Sequence, residues 1–278
     1  MMNKPASTPG GLTRFRIDLA YDGTDFSGWA IQPGLRTVEG ELKKALEVIF
    51  DEIRSGLRVA GRTDSGVHAL AQVVHIDLSE TQAKRVKSGL PKKLNALLPR
   101  DIRIHNFAQA PEGFDARFSA EGREYQYRIN QSELENPLSG RNQLWHKYPL
   151  NVKAMQEASQ VLIGLHDFAA FCKPRPGSTT IRELKRLEIS NLENEIVIEL
   201  EADAFCHNQV RSIVGALIAV GEAKLSKQDL SEILNGKKRI GKFKVVGPEG
   251  LSLKAVNYPA DDLLAQQAEK TKNMRSLD

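Results

Sequence analysis

Only two cysteines, Cys172 and Cys206, occur in 278 residues, and neither belongs to a Cys-x-x-Cys pair. That scarcity argues against a disulfide scaffold and a cysteine-bound zinc, and it suits a reducing cytoplasm. The six histidines are scattered, with no carboxylate or cysteine cluster beside them, so no metal is expected. No apolar run approaches the roughly 20 residues of a membrane-spanning helix, so no membrane partner is expected. The first eleven residues are polar and lack the apolar core of a secretion signal, so export is not expected. A Gly-x-x-x-x-Gly-Lys-[Ser/Thr] loop is missing, which disfavours an ATP-driven enzyme, and no Gly-x-Gly-x-x-Gly loop follows a strand. The His-x-Glu and Pro-Cys-x-x-Cys pair of a zinc deaminase is missing too.

What is present is ordinary for a folded protein: 41% apolar and 27% charged residues, with a net charge of +4. A small positive excess is compatible with a polyanionic partner without establishing one. Phe15, Ile17, Leu19 and Tyr21 alternate with Arg14, Arg16 and Asp18, the pattern of a half-buried strand over 14–21. Thr37 reads as an N-cap for a helix carrying Val38, Leu42, Ala45, Leu46 and Ile49. Strands are predicted over 57–60, 72–78 and 102–108, with two short helices between 81 and 98. A second cycle follows: strands over 123–130 and 196–202, a helix capped by Asn151, a helix over 209–220, and a capping box at Ser226 and Asp229. Strands and helices in this order imply an α+β fold rather than regular βαβ winding. Two similar lobes are expected, with mainly antiparallel sheets flanked by helices and a catalytic cleft between them. Their limits are residues 12–110 and 111–260, with a flexible N-terminus over 1–11 and a flexible tail over 261–278.

The most unusual local sequence is Gly61-Arg62-Thr63-Asp64-Ser65-Gly66-Val67-His68, a polar loop between two strands. Taken alone, it reads as a turn in which Asp64 bonds neighbouring amides and Arg62 faces water. Loops at strand ends are also where folds place catalytic side chains. His68, at the entrance to a strand, reads as a structural hydrogen bonder. Tyr125 alternates with Tyr127 and Ile129 as a core-facing sheet residue would, and Leu251 reads as core. Arg211 sits on an otherwise apolar helix, where it either faces solvent or needs a buried partner.

The loop resembles the catalytic loop of the tRNA pseudouridine synthase A family. Tyr21-Asp22-Gly23 with Phe26-Ser27-Gly28-Trp29 is similar to that family's first strand and loop. Phe114 to Ala120 and Arg123-Glu124-Tyr125-Gln126-Tyr127 resemble its middle segments, Val210 to Gly215 its late helix, and Glu249-Gly250-Leu251 through Pro259 its closing strand. The segments keep the family's order from about residue 14 to 259. Ala30 stands where the family usually has glutamine, and Gln209 where methionine is common; neither removes a group the reaction needs.

The resemblance implies that Asp64 is the essential carboxylate, acting as nucleophile or base on a flipped-out uridine. It implies that Arg211 pairs with that carboxylate, that Tyr125 packs on the target uracil, and that Leu251 lines the base pocket. Arg62 is expected to contact RNA or hold the loop. Arg36, Arg123, Lys173 and Arg175 are weaker candidates for phosphate contacts, each equally readable as a solvated surface charge. No cofactor or metal is implied; a homodimer acting on the anticodon stem-loop of tRNA is. Rival readings are a non-catalytic tRNA-binding or folding module and a pseudouridine synthase with other target positions.

Overall fold

A computed structural model describes residues 7–8, 11–175, 179–238 and 241–272. The chain divides into two compact units: one takes it up to Glu121 and returns for residues 253–272, the other is Gly122–Ser252. The division thus falls later than the expected 110/111, and the end of the chain rejoins the first unit.

In the first unit, Ser7–Thr8 (β1) and Leu12–Tyr21 (β2) are followed by Val38–Phe50 (α1), Arg58–Val59 (β3) and His68–Leu78 (β4). Glu80–Ala83 (α2), Leu90–Leu97 (α3) and Ile102–Gln109 (β5) complete its first part. β2 pairs antiparallel with β4 on one side and with β5 on the other. The alternation in β2 is realised: Phe15, Ile17, Leu19 and Tyr21 are buried, and Arg14, Arg16 and Asp18 are not. α1 lays Val38, Leu42, Ala45, Leu46 and Phe50 on the core, where Phe107 stacks near both Phe15 and Phe50. Each of the larger of these side chains stabilises the fold by about 2 kcal/mol on burial. The Thr37 side chain accepts from the Gly40 amide, so the helix starts where its cap predicts.

The second unit holds Gly122–Asn130 (β6), Leu144–Trp145 (β7), Val152–Ser159 (α4), Gly164–Asp167 (β8), Ile181–Leu192 (β9) and Glu195–Ala202 (β10). Gln209–Gly221 (α5) and Lys227–Gly236 (α6) follow. Its strands run β6-β10-β9-β8 in antiparallel pairs, with β7 parallel to β6. The Asn151 cap and the Ser226–Asp229 capping box form as read from sequence. α5 buries nearly every side chain except Arg211. Leu251–Asn257 (β11) then brings the chain back beside β4, and Leu264–Lys272 (α7) buries Leu264 and Ala268 on the first unit.

Three expectations are corrected. Order begins before Leu12, because Ser7 and Thr8 pair with Thr13 and Leu12 through a turn at Gly11. The segment expected as a flexible tail forms a short 3-10 helix (Asp261–Leu263) and α7. Two apolar residues at i and i+4, Leu264 and Ala268, were enough to anchor a stretch whose overall polarity reads as tail. Residues 1–6, 9–10 and 273–278 of the two expected flexible ends lie outside the described residues. Finally, Cys172 and Cys206 are joined in a disulfide, with Cα atoms 5.7 Å apart. Cys172 precedes β9 and Cys206 follows β10, so the hairpin register brings together two residues whose spacing in sequence carries no such signal.

β4 itself carries a buried titratable group with a measurable consequence. His75 is buried; its Nδ1 accepts from the Ala116 amide at 2.9 Å and its ring meets Phe114 edge-on. Burial first, and then the Arg14 guanidinium, push its pKa down to about 4 from 6.5. The unfolded chain therefore takes up a proton as pH falls through about 6.5, while the native chain stays neutral until about 4. The contribution is complete above pH 6.5 and is lost as pH falls toward 4, by about 3 kcal/mol in all. Urea unfolding of wild type and His75→Asn should show a stability gap that is widest at pH 7.5 and shrinks at pH 5. A gap that stays constant between those pH values would refute this assignment.

Candidate active site

The Gly61–His68 loop joins β3 to β4 and is fastened from three directions. Thr63 is buried, with its hydroxyl 2.7 Å from the Tyr21 hydroxyl. The Gln72 amide nitrogen, also buried, donates to the Gly61 carbonyl at 2.8 Å and to the Tyr21 hydroxyl at 3.2 Å. Burial pushes the Tyr21 phenol up to about 12, so it keeps its proton as donor and acceptor at neutral pH. The Trp29 amide donates to the Thr63 carbonyl, and the Gly66 amide and Ser65 hydroxyl donate to the Phe26 carbonyl. The Val67 amide closes a turn onto the Asp64 carbonyl, with Gly66 at φ 77°, a position that glycine adopts without steric cost. Gly61 has no such need: its φ is not positive and nothing lies within 4 Å of a Cβ there.

Within this frame Arg62 is exposed, Thr63 buried and Asp64 half-buried. His68 is buried, and its Nδ1 accepts the Gly23 amide at 3.0 Å, in line with the structural role read from sequence. Asp64 is thus a carboxylate on a short loop whose neighbours are immobilised by backbone and buried hydrogen bonds.

Tyr125, Arg211 and Leu251 all belong to the second unit. Tyr125, on β6, is 9% exposed, and its ring meets Phe205 edge-on at 5.2 Å. Its neighbour Tyr127 is wholly buried and donates to the Gly247 carbonyl at 2.9 Å; burial, and next the Glu249 carboxylate, push its pKa up. Arg211 rises from the first turn of α5, half-buried, with Nε donating to the Val246 carbonyl at 2.8 Å. Leu251 is buried at the start of β11, and the Arg128 amide of β6 donates to the Gly250 carbonyl beside it. These bonds gather β6, the 246–251 segment and the start of α5 into one neighbourhood.

The four basic candidates separate. Arg36 forms a doubly hydrogen-bonded pair with Asp101, at 2.8 and 3.0 Å, and covers the Phe26 ring. Arg123 is 7% exposed and donates to the Asp203 carbonyl at 2.7 Å, which suits a structural strut better than a phosphate contact. Lys173 and Arg175 are exposed. Sequence reasoning missed Tyr21 and Gln72 as loop supports. The available signal was Gln72 itself, a polar residue whose burial demands partners. A cavity of about 510 Å³ in the first unit is lined by Arg16, Phe114 and Tyr258 among others, not by Asp64. Among the described residues no group of three metal-ligating side chains occurs, and no helix is long and apolar enough to cross a membrane.

A family profile described as tRNA pseudouridine synthase matches residues 19–119 and 158–259. Those spans include Arg62, Asp64, Arg211 and Leu251, while Tyr125 falls between them. A Streptomyces griseus protein named tRNA pseudouridine synthase A is 45% identical over 96% of this chain and 95% of its own length. Counterparts of that name from Streptomyces avermitilis and Frankia casuarinae are 46% and 47% identical, over 96% and 95% of this chain and 95% and 96% of their own lengths.

Proposed function

This chain belongs to the tRNA pseudouridine synthase family, and from that premise we propose that it isomerises uridine to pseudouridine in the anticodon stem-loop of tRNA with Asp64 as its catalytic carboxylate. The observation that carries the residue assignment is the mounting of Asp64: a half-exposed carboxylate on a loop tied to Phe26, Trp29, Tyr21 and Gln72. The reaction breaks the bond between N1 and C1′, turns the uracil, and joins C5 to C1′. It is neither an oxidation nor a hydrolysis, so a carboxylate acting as nucleophile or base can serve it without a cofactor. The hydrogen on C5 is released to water, which gives the reaction its readout.

A uridine in a stacked arm must leave the stack to be reached, and the flipped base needs an aromatic and apolar wall. Tyr125 and Leu251 take that part, and Arg211 supplies positive charge from an anchored guanidinium. Arg62, Lys173 and Arg175 contact the phosphates. Homodimeric assembly and action in the cytoplasm belong to this same reading and rest on the family resemblance.

The test is tritium release from unmodified tRNA carrying 5-³H-uridine, with the product mapped along the tRNA. Release mapped to the anticodon arm is the expected result. Tight, salt-sensitive tRNA binding without release from any tRNA would favour a binding module instead, and release from another arm would move the target. Within the reaction, Tyr125→Phe is expected to bind tRNA normally while turnover falls at least about tenfold, because the lost hydroxyl can no longer bond or move a proton. A near-normal rate would reduce Tyr125 to packing.

A further inference from the structure

The arch from Ala30 to Arg36 exposes two aliphatic side chains, Ile31 at 52% and Leu35 at 53%. It is not a slack loop. Its tip is a four-residue turn, Gln32-Pro33-Gly34-Leu35, closed by the Leu35 amide on the Gln32 carbonyl, with proline second and Gly34 third at φ 72°. That is a type II turn with both of its preferred residues in place. The feet are equally fixed. The Ile31 amide donates to Glu39, the Gln32 side chain to the Ser27 carbonyl, and the Ser27 amide to the Arg36 carbonyl.

The arch also shares its frame with the catalytic loop. Phe26, which carries the Arg36 guanidinium on its ring, accepts from Gly66 and Ser65; Trp29, two residues before Ile31, donates to Thr63. A stiff turn framed on the loop that carries Asp64 thus holds two half-exposed aliphatic groups where polar residues would be expected. Its one cation, Arg36, is already paired with Asp101, so the tip is poorly suited to gripping phosphates. Base faces are what aliphatic wedges fit: inserted between two bases, they replace the stacking lost when a neighbour leaves.

Building on the function proposed above, we infer that Ile31 and Leu35 are positioning residues that enter the substrate's base stack and hold open the gap left by the flipped uridine. They touch neighbouring bases rather than the reacting atoms.

The experiment compares single-turnover rates on two substrates: unmodified tRNA, and the same tRNA with the target uridine opposite an abasic site and so already unstacked. Ile31→Ser/Leu35→Ser is expected to slow the first at least about tenfold and the second less than about threefold, since only the first pays for opening the stack. Its thermal melt should match wild type, because both side chains are on the surface. Val48→Ser removes an exposed aliphatic from α1 and should leave both rates unchanged. Equal slowing on both substrates, no slowing on either, or slowing by Val48→Ser would each overturn the wedge while wild-type turnover upheld the reaction. No turnover by wild type on any tRNA would overturn the reaction itself, and the wedge with it.

Discussion

Asp64→Asn is expected to abolish pseudouridine formation, with a loss of at least about 1,000-fold, while folding and tRNA affinity stay near wild type. The two side chains are nearly isosteric, and the backbone and Ser65 bonds that frame the loop run through other groups. Trp29 binds the Thr63 carbonyl, Gly66 and Ser65 bind the Phe26 carbonyl, and Val67 binds the backbone carbonyl of residue 64. All of these survive the substitution. What is lost is the negative charge and the lone pair, and an amide is neither an adequate nucleophile nor a base. The measurement is tritium release alongside a thermal melt and a filter-binding isotherm. A variant that melts far below wild type would make Asp64 a structural turn residue, the reading its sequence alone favours. A well-folded variant with residual turnover within about tenfold of wild type would move the chemistry to another group.

Much of the fold could be read before the structure, and the reason is local. β2 buries one face in the core, so its alternation is printed directly in the residues from Phe15 to Tyr21. The caps at Thr37, Asn151 and Ser226 are short-range hydrogen bonds between a side chain and an amide three residues on, and sequence shows both partners. β9 was not anticipated as a strand. Its burial is interrupted by charged residues such as Arg186, which reaches Glu124, Glu188 and Glu199, so its inner face has no clean period of two.

The Cys172–Cys206 pairing depends on the register of that same hairpin and was invisible for the same cause. α7 was obscured by polarity, since two buried residues among nine leave almost no periodic signal. For the site, the family-like loop pointed to Asp64, but its support did not follow. The Tyr21–Thr63–Gln72 network joins residues 42 and 51 positions apart, contacts that no local pattern encodes.

Glycines near that loop differ in what they are for, and Gly23→Ala should show it with a second large effect. A Cβ at Gly23 would lie 2.0 Å from the Val67 carbonyl oxygen, 2.4 Å from the Val67 carbonyl carbon and 3.1 Å from the His68 nitrogen. All three are backbone atoms, so no side chain can swing aside. The Gly23 φ is not in the left-handed region, which makes the cost one of contact rather than of conformation. Either the Asp22–Thr24 turn withdraws, breaking the Gly23 amide bond to His68, or residues 64–68 are pushed outward.

Overpacking of this kind costs about 1–3 kcal/mol or more, and a displacement of roughly 1 Å in a catalytic loop costs about 100-fold in rate. Gly23→Ala is therefore expected to melt clearly lower and, at temperatures where it stays folded, to turn over at least about 100-fold more slowly. Gly61→Ala is the matched control, since nothing lies within 4 Å of its Cβ and its φ is ordinary; it should melt and react like wild type. If both variants behave alike, close backbone approach at Gly23 is not what positions Asp64. If only Gly23→Ala fails, the carboxylate's placement depends on the first strand's turn as much as on its own loop.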